Sequence, residues 1–259
     1  MNEELITIYN DDGTMKTKEE FLQTVENFYD KACMSCGEDI LDELTNPDKQ
    51  VDVEATIGTF DFYERHLYVS EEITSLMANQ ITELIYFWNR IDNINNIPKE
   101  ARVPIKMFIN SPGGELEAVF SIIGAMETST TPIYTITTGT SYSGGFFIGI
   151  CGTKRFAFPY STFLFHEGSS GDMGDAHKFL QRVDFYRAQL DSLKSVTINH
   201  TKISAEEYDK HFKDDWCLNC TEALNFGVID KVINTIDDLF EEENEEIIIE
   251  ENRSEDNNE

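Results

Sequence analysis

Two glycine-rich turns constrain this chain more than any other feature. Each divides a strand-like apolar run from an apolar run of helical period. The first, Asn110-Ser111-Pro112-Gly113-Gly114, follows Ile105 to Ile109 (IKMFI). It precedes LEAVFSIIGAMET, in which Leu116, Val119, Phe120 and Ile123 recur at helical spacing. The second, GTSYSGGFF from Gly139 to Phe147, follows Ile133 to Thr138 and runs into the apolar helix candidate FFIGIC. Strand, turn and helix repeated in this way favour a layered α/β fold. Two parallel strands that end in such turns put both turns at the carboxyl edge of one sheet, where such folds build their sites.

Taken alone, GTSYSGGFF is a tight turn with two interchangeable serines, Ser141 and Ser143. A phosphate loop would want a Gly-Lys-Ser/Thr ending and a nearby lysine, and neither is there. A nucleophile turn fits better, because acyl transfer needs an exposed hydroxyl beside free N–H groups. The second glycine turn strengthens that reading, since both turns can donate N–H groups to one oxyanion. A third strand, TFLFH, then ends at His166. His66 begins a strand instead, and His177, His200 and His211 fall in or at the ends of exposed helices.

The remaining elements follow the same grammar. HLYVS is a strand, and Ser70-Glu71-Glu72 opens a helix through MANQITELIYFWNRI. RFAF precedes TFLFH. A long amphipathic helix spans about Asp175 to His200, and SAEEYDKHF carries Ser204 and Glu207 at capping-box spacing. Helix TEALNFG and strand VIDKVI close the core. Residues 1–55 are an acidic extension with one helix candidate at KEEFLQTVENFYDKAC, residues 56–236 form the folded domain, and residues 237–259 are an acidic tail expected to stay disordered.

A net charge of −29 argues against nucleic acid or an anionic membrane as partner. There is no apolar run of about 20 residues and no basic-then-apolar leader, so the expectation is a soluble, cytoplasmic protein. The cysteine count of 5, an odd number, does not suggest a disulfide scaffold. Cys33/Cys36 and Cys217/Cys220 form two C-x-x-C pairs, but they lie too far apart in sequence for a compact zinc ribbon, and no metal site is expected.

From about His66 to Val232 the chain resembles the proteolytic subunit of the ATP-dependent Clp protease, a family of self-compartmentalised serine peptidases. Four motifs carry the resemblance in the same order. INSPGG is matched identically at Ile109 to Gly114, and the family's Gly-x-Ala-Ala-Ser-Met-Gly-Ala turn is matched by GTSYSGGF. FLFHEG stands for its Met-Ile-His-Gln-Pro strand end. The run from Asp215 to Asp230 stands for its Asp-x-Phe-Met…Glu-Ala…Gly-Leu-Ile-Asp segment. MANQITELIYFWN also looks like the family's Met-Ala-Asn helix.

The resemblance implies a spiral of repeated β-β-α units, like that of Clp proteases and crotonases, with a protruding handle helix over 175–200. It implies Ser143 as nucleophile, His166 as general base and a buried Asp215 as its orienting carboxylate, with Asp214 as fallback. The backbone N–H groups of Gly114 and Gly144 become the oxyanion hole. Substrates would be unfolded polypeptides, paired along a strand over 167–175 inside a homo-oligomeric, heptameric ring fed by an AAA+ unfoldase. No cofactor is implied, since any ATP is hydrolysed by the partner.

Some positions depart from the pattern. Glu167-Gly168 replaces Gln-Pro, and Asp214 replaces an arginine, both at inter-ring contacts. Lys106 and Phe108 replace two tyrosines of the ATPase-docking pockets. Alternatives are therefore a viral-type maturation protease acting without an ATPase, or a catalytically silent ring subunit. Crotonase-type acyl-CoA chemistry is a poorer match, because it leaves the serine turn and His166 without a role.

Overall fold

The computed structural model describes residues 58, 61–166, 168, 175–236 and 238–239. The helix expected within the acidic extension, Cys33 and Cys36, most of the substrate strand over 167–175 and most of the acidic tail lie outside them.

Seven strands form one sheet: β1 (His66–Ile73), β2 (Ile105–Gly114), β3 (Ile133–Tyr142), β4 (Lys154–Ala157), β5 (Thr162–Phe165), β6 (Trp216–Asn219) and β7 (Lys231–Val232). Strands β1, β2, β3, β4 and β7 lie side by side in that order, every pair parallel. The long β3 pairs with β4 along its first half and with β5 along its second. Strand β6 then adds antiparallel to β5, with Phe165 opposite Trp216. The helices are α1 (Ser75–Ile94), α2 (Leu116–Thr128), α3 (Gly144–Ile150), α4 (Ala176–His200), α5 (Ala205–His211) and α6 (Cys220–Asn225). This is the mixed α/β fold with a parallel sheet that the glycine turns implied.

Among the described residues, the larger of two apolar clusters joins the sheet to the helices, the smaller one gathering Tyr134, Ile136, Phe156, Ile233 and Leu239. Val69, Ile109, Ile122, Phe146, Ile148 and Phe165 are all buried in the larger. Every residue of α3 is buried, which explains why FFIGI carries no polar face. Helix α4 is anchored by its C-terminal half, where Leu193 and Thr197 are buried, while Leu180 and Phe185 in its first half are exposed.

Two local expectations are corrected. The helix expected from Ser70 begins at Ser75, because β1 runs on through Ile73 and Thr74 caps the helix by accepting from Met77 N. Glu71 adopts φ 65° in a bulge between Ser70 and Glu72, and Ser111 Oγ donates to its carbonyl at 2.5 Å. Likewise NSPGG is not a free turn. It continues β2, with Gly113 opposite Glu72 and Gly114 opposite Ile73. A parallel ladder thus carries the glycines to the sheet edge instead of leaving them on a loop. No helix among the described residues is long and apolar enough to cross a membrane.

Candidate active site

Strand pairing brings the sequence-nominated residues to one edge of the sheet. Tyr142 on β3 is opposite Leu164 on β5, and the next N–H along, that of Ser143, donates to Leu164 O at 2.8 Å. Phe165 is opposite Trp216, so the residue after β5 (His166) faces the residue before β6 (Asp215) across the antiparallel pair. His166 Nδ1 lies 3.3 Å from Asp215 Oδ1. The His166 side chain is 32% exposed and that of Asp215 is 73% exposed. The buried carboxylate expected at 215 is therefore an exposed one in the single chain, because among the described residues β6 pairs with β5 alone and forms an edge. Asp214 is exposed too, in a turn where its N–H donates to His211 O at 3.0 Å.

Ser143 occupies the junction of β3 and α3 with φ 50° and ψ −116°. A side chain at positive φ is uncommon, and such strain collects where function positions a group. Phe147 N donates to Ser143 O at 3.3 Å, so Ser143 is the N-cap of a helix whose first N–H groups have no partner within the helix. Among the hydrogen bonds of the described residues, none links the Ser143 hydroxyl to the His166 ring.

Ser141 is a different kind of residue. It is fully buried and its Oγ donates to Gly145 O at 3.0 Å, pinning the turn from inside. The structure therefore separates the two serines, one a buried strut and the other a half-buried cap.

Close backbone approach explains the glycines. A Cβ on Gly113, which has φ 102°, would come within 2.7 Å of Ser143 Cβ and 2.9 Å of Gly144 N. A Cβ on Gly114 would sit 2.1 Å from Ile73 O, and one on Gly144 would lie 3.4 Å from Gly114 N. The two glycine segments are thus packed against one another, with the Gly114 and Gly144 amides as neighbours. Asn110 ties them together, because its Oδ1 accepts from Thr140 N at 3.0 Å and from Thr140 Oγ1 at 3.2 Å. That positioning role was not assigned from sequence, although Asn110 opens the NSPGG motif. Glu115 was missed as well. Its carboxylate accepts from Ser75 N at 3.0 Å and Ser75 Oγ at 2.5 Å, linking the end of β2 to the start of α1.

At the two positions where the family's tyrosines are replaced, Lys106 is only 2% exposed, and Phe108 stacks on Tyr68 at 5.3 Å. Tyr68 O–H donates to Asp61 Oδ1 at 2.9 Å. Burial first, and then Asp61, pushes the Tyr68 phenol up to about 12. Cys217 is exposed whereas Cys220 is buried, its thiol donating to the carbonyls of Phe158 and Ser161 at 3.3 Å each. That C-x-x-C pair is not presented together at the surface.

The arrangement supplies a hydroxyl, an imidazole, a carboxylate and a pair of adjacent amides, the parts that hydrolysis by covalent catalysis uses. Comparison with known proteins points the same way. A family model described as Clp protease matches residues 52–236. The ATP-dependent Clp protease proteolytic subunit of Deinococcus radiodurans is 30% identical over 183 residues, covering 68% of this chain and 86% of that protein. Subunit 2 of Prochlorococcus marinus is 28% identical over 190 residues, 72% of this chain and 87% of its own length. Subunit 1 of Protochlamydia amoebophila is 27% identical over 180 residues, 68% and 83%. With its parallel sheet, its paired glycine segments and a family match that spans most of its length, this chain belongs to the Clp protease family.

Proposed function

We propose that this peptidase is a serine endopeptidase that cuts unfolded polypeptides inside an oligomeric chamber, with Ser143 as nucleophile, His166 as general base and Asp215 as orienting carboxylate. The observation that carries the reading is the β3–β5–β6 ladder, which supports all three residues from adjacent strand ends.

A serine hydroxyl attacks a peptide carbonyl only when a base takes its proton. The His166 ring takes it through Nε2 while Nδ1–H points to Asp215, and it returns the proton to the departing amine. The carboxylate selects that tautomer and stabilises the imidazolium. The Gly114 and Gly144 N–H groups receive the charge that develops on the carbonyl oxygen, each contributing about 3 kcal/mol to the transition state. The Ser143–His166 contact tightens when substrate docks, as such contacts do. Every group in the scheme belongs to this chain, so it calls for no cofactor.

The exposed Leu180 and Phe185 on α4 support a handle role, in which the first half of the helix is covered by another subunit of a heptameric ring assembly. An AAA+ unfoldase would feed the chamber. The alternative, cleavage with no ATPase, is favoured by the burial of Lys106 and the stacking of Phe108 under Tyr68 at the docking positions.

Fluorophosphonate labelling of the assembled full-length protein tests the core proposal. Wild type and Ser141→Ala should label and cleave casein, the latter with stability lowered by about 1 kcal/mol for its lost buried hydrogen bond. Ser143→Ala should do neither. Labelling that survives in Ser143→Ala would overturn the assignment. Casein turnover with and without an added unfoldase separates the two modes.

A further inference from the structure

Three side chains meet at the sheet edge opposite Ser143. Glu127 lies in the last turn of α2, Cys151 is the C-cap of α3, and His200 ends α4. This is the edge where β3 begins, and the Thr153 N–H just after Cys151 donates to Ile133 O at 2.7 Å. A carboxylate oxygen of Glu127, the Cys151 sulfur and a ring nitrogen of His200 all lie within 4.8 Å of one another. His200 Nε2 is 3.2 Å from Glu127 Oε1.

We propose that Glu127, Cys151 and His200 form a zinc(II) site with water in the fourth position. The donor set is one thiolate, one imidazole and one carboxylate, and zinc sites with three protein ligands draw on these same side chains. Zinc bonds of about 2.0–2.3 Å in a tetrahedron hold their donors roughly 3.3–3.8 Å apart. The His200–Glu127 pair is already near that spacing, and side-chain rotation within the 4.8 Å cluster supplies the rest. Glu127 is exposed while Cys151 and His200 are half-buried, which gives an ion a way in and a partly dry seat.

The surroundings favour a cation on balance. Helices α2 and α4 both end here and present the negative poles of their dipoles. Arg155 opposes, because its Nη1 donates to the carbonyls of His200 and Gly227. Its charge is already paired with Asp230, at 2.6 Å from Nη2 and 3.0 Å from Nε. The Cys151 thiol donates to Phe147 O at 3.2 Å without metal. On binding, the sulfur–hydrogen bond is replaced by a sulfur–zinc bond, and one proton leaves to solvent with no change of oxidation state.

Full-length protein stripped with a chelator and titrated with zinc chloride alone tests the proposal. Wild type should bind one equivalent more than Cys151→Ser and release a proton with it. Cobalt should give a thiolate charge-transfer band in wild type that Cys151→Ser and His200→Ala both lose. Peptide cleavage should survive these changes, since the site lies away from Ser143. Equal zinc stoichiometry in wild type and in a folded Cys151→Ser, or no cobalt band in wild type, would overturn the proposal. If Cys151→Ser does not fold, His200→Ala decides on the same two readouts.

Discussion

The carboxylate of Asp215 stands 3.3 Å from His166 Nδ1 while most of its side chain remains open to solvent. Water around a carboxylate weakens its hold on an imidazolium, so its contribution should be smaller than that of a buried triad aspartate. Asp215→Asn is expected to lower kcat/KM on a fluorogenic peptide by about 10²-fold, against about 10⁴ for a buried carboxylate. Asp214→Asn should leave it unchanged. A loss near the larger figure would mean that subunit assembly closes over Asp215.

Among the described glycines, Gly114 and Gly124 stand at opposite extremes of crowding. Gly114→Ala drives a Cβ into the Ile73 carbonyl, a backbone atom that cannot step aside, and is expected to abolish cleavage and destabilise the fold by about 3 kcal/mol or more. Gly124, in the exposed face of α2, has nothing within reach of a new Cβ. Gly124→Ala should raise stability by about 0.5–1 kcal/mol with cleavage intact. Guanidinium unfolding of the two variants would show opposite shifts in midpoint.

Asp92 is 0% exposed and accepts from Arg65 Nη1 at 2.9 Å, Arg65 Nη2 at 2.7 Å and Thr131 Oγ1 at 2.6 Å. Removing one member of such a pair strands the other. Asp92→Ala should cost about 3–5 kcal/mol in chemical denaturation. Replacing Asp92 and Arg65 together by apolar residues should cost clearly less than the sum of the single changes.

Two phenols contribute to the alkaline limit of stability, alongside the Cys151 and Cys220 thiols, which burial also pushes up. Tyr68 is raised from 10.0 to about 12, and burial also pushes Tyr208 up, its hydroxyl buried without a hydrogen-bond partner. Both ionise earlier in the unfolded chain, so their contribution is intact below pH 10 and is lost as pH rises through the folded values. Around Tyr68 the facing groups are Asp61 and His66, and around Tyr208 they are Asp191, Asp209 and Lys194. Unfolding midpoints should fall between pH 10 and 12, and less steeply in Tyr68→Phe. Tyr208→Phe keeps the stack on Phe212 and removes the unpaired hydroxyl, so at pH 7 it should be neutral or stabilising by about 1 kcal/mol.

Elements with a strong period were legible in the sequence. LEAVFSIIGAMET predicts α2 over the residues observed, and the apolar FFIGI predicts a buried helix because no solvent face is present. Strand β6 was not legible. Trp216-Cys217-Leu218-Asn219 is four residues long and lacks flanking turn signals, and only its pairing with β5 makes it a strand. Two acidic residues at 71 and 72 look like the first turn of a helix. They stay in β1 because the bulge at Glu71 is locked by Ser111, a contact 40 positions away. Asp92 reads as a solvent-facing position of an amphipathic helix, since nothing local shows that Arg65 and Thr131 will cover it. Ser143 and His166 stood out as ends of strands. Their approach to Asp215 depends on an edge-strand pairing that no local pattern encodes.

The antiparallel seam between β5 and β6 also bears on when the protein becomes chemically competent. A ribosome delivers the chain from its N-terminus, and strands β1 to β5 emerge with Ser143 and His166 long before Asp215. The Phe165–Trp216 register forms only once α4 and α5 have been made and have folded back. Non-local pairings of this sort come late, after the cost of closing the intervening loop has been met. If the proposed triad holds, a nascent chain carries its hydroxyl and imidazole before the Asp215 carboxylate is in place, and works among other unfolded polypeptides at a reduced rate until β6 has paired with β5.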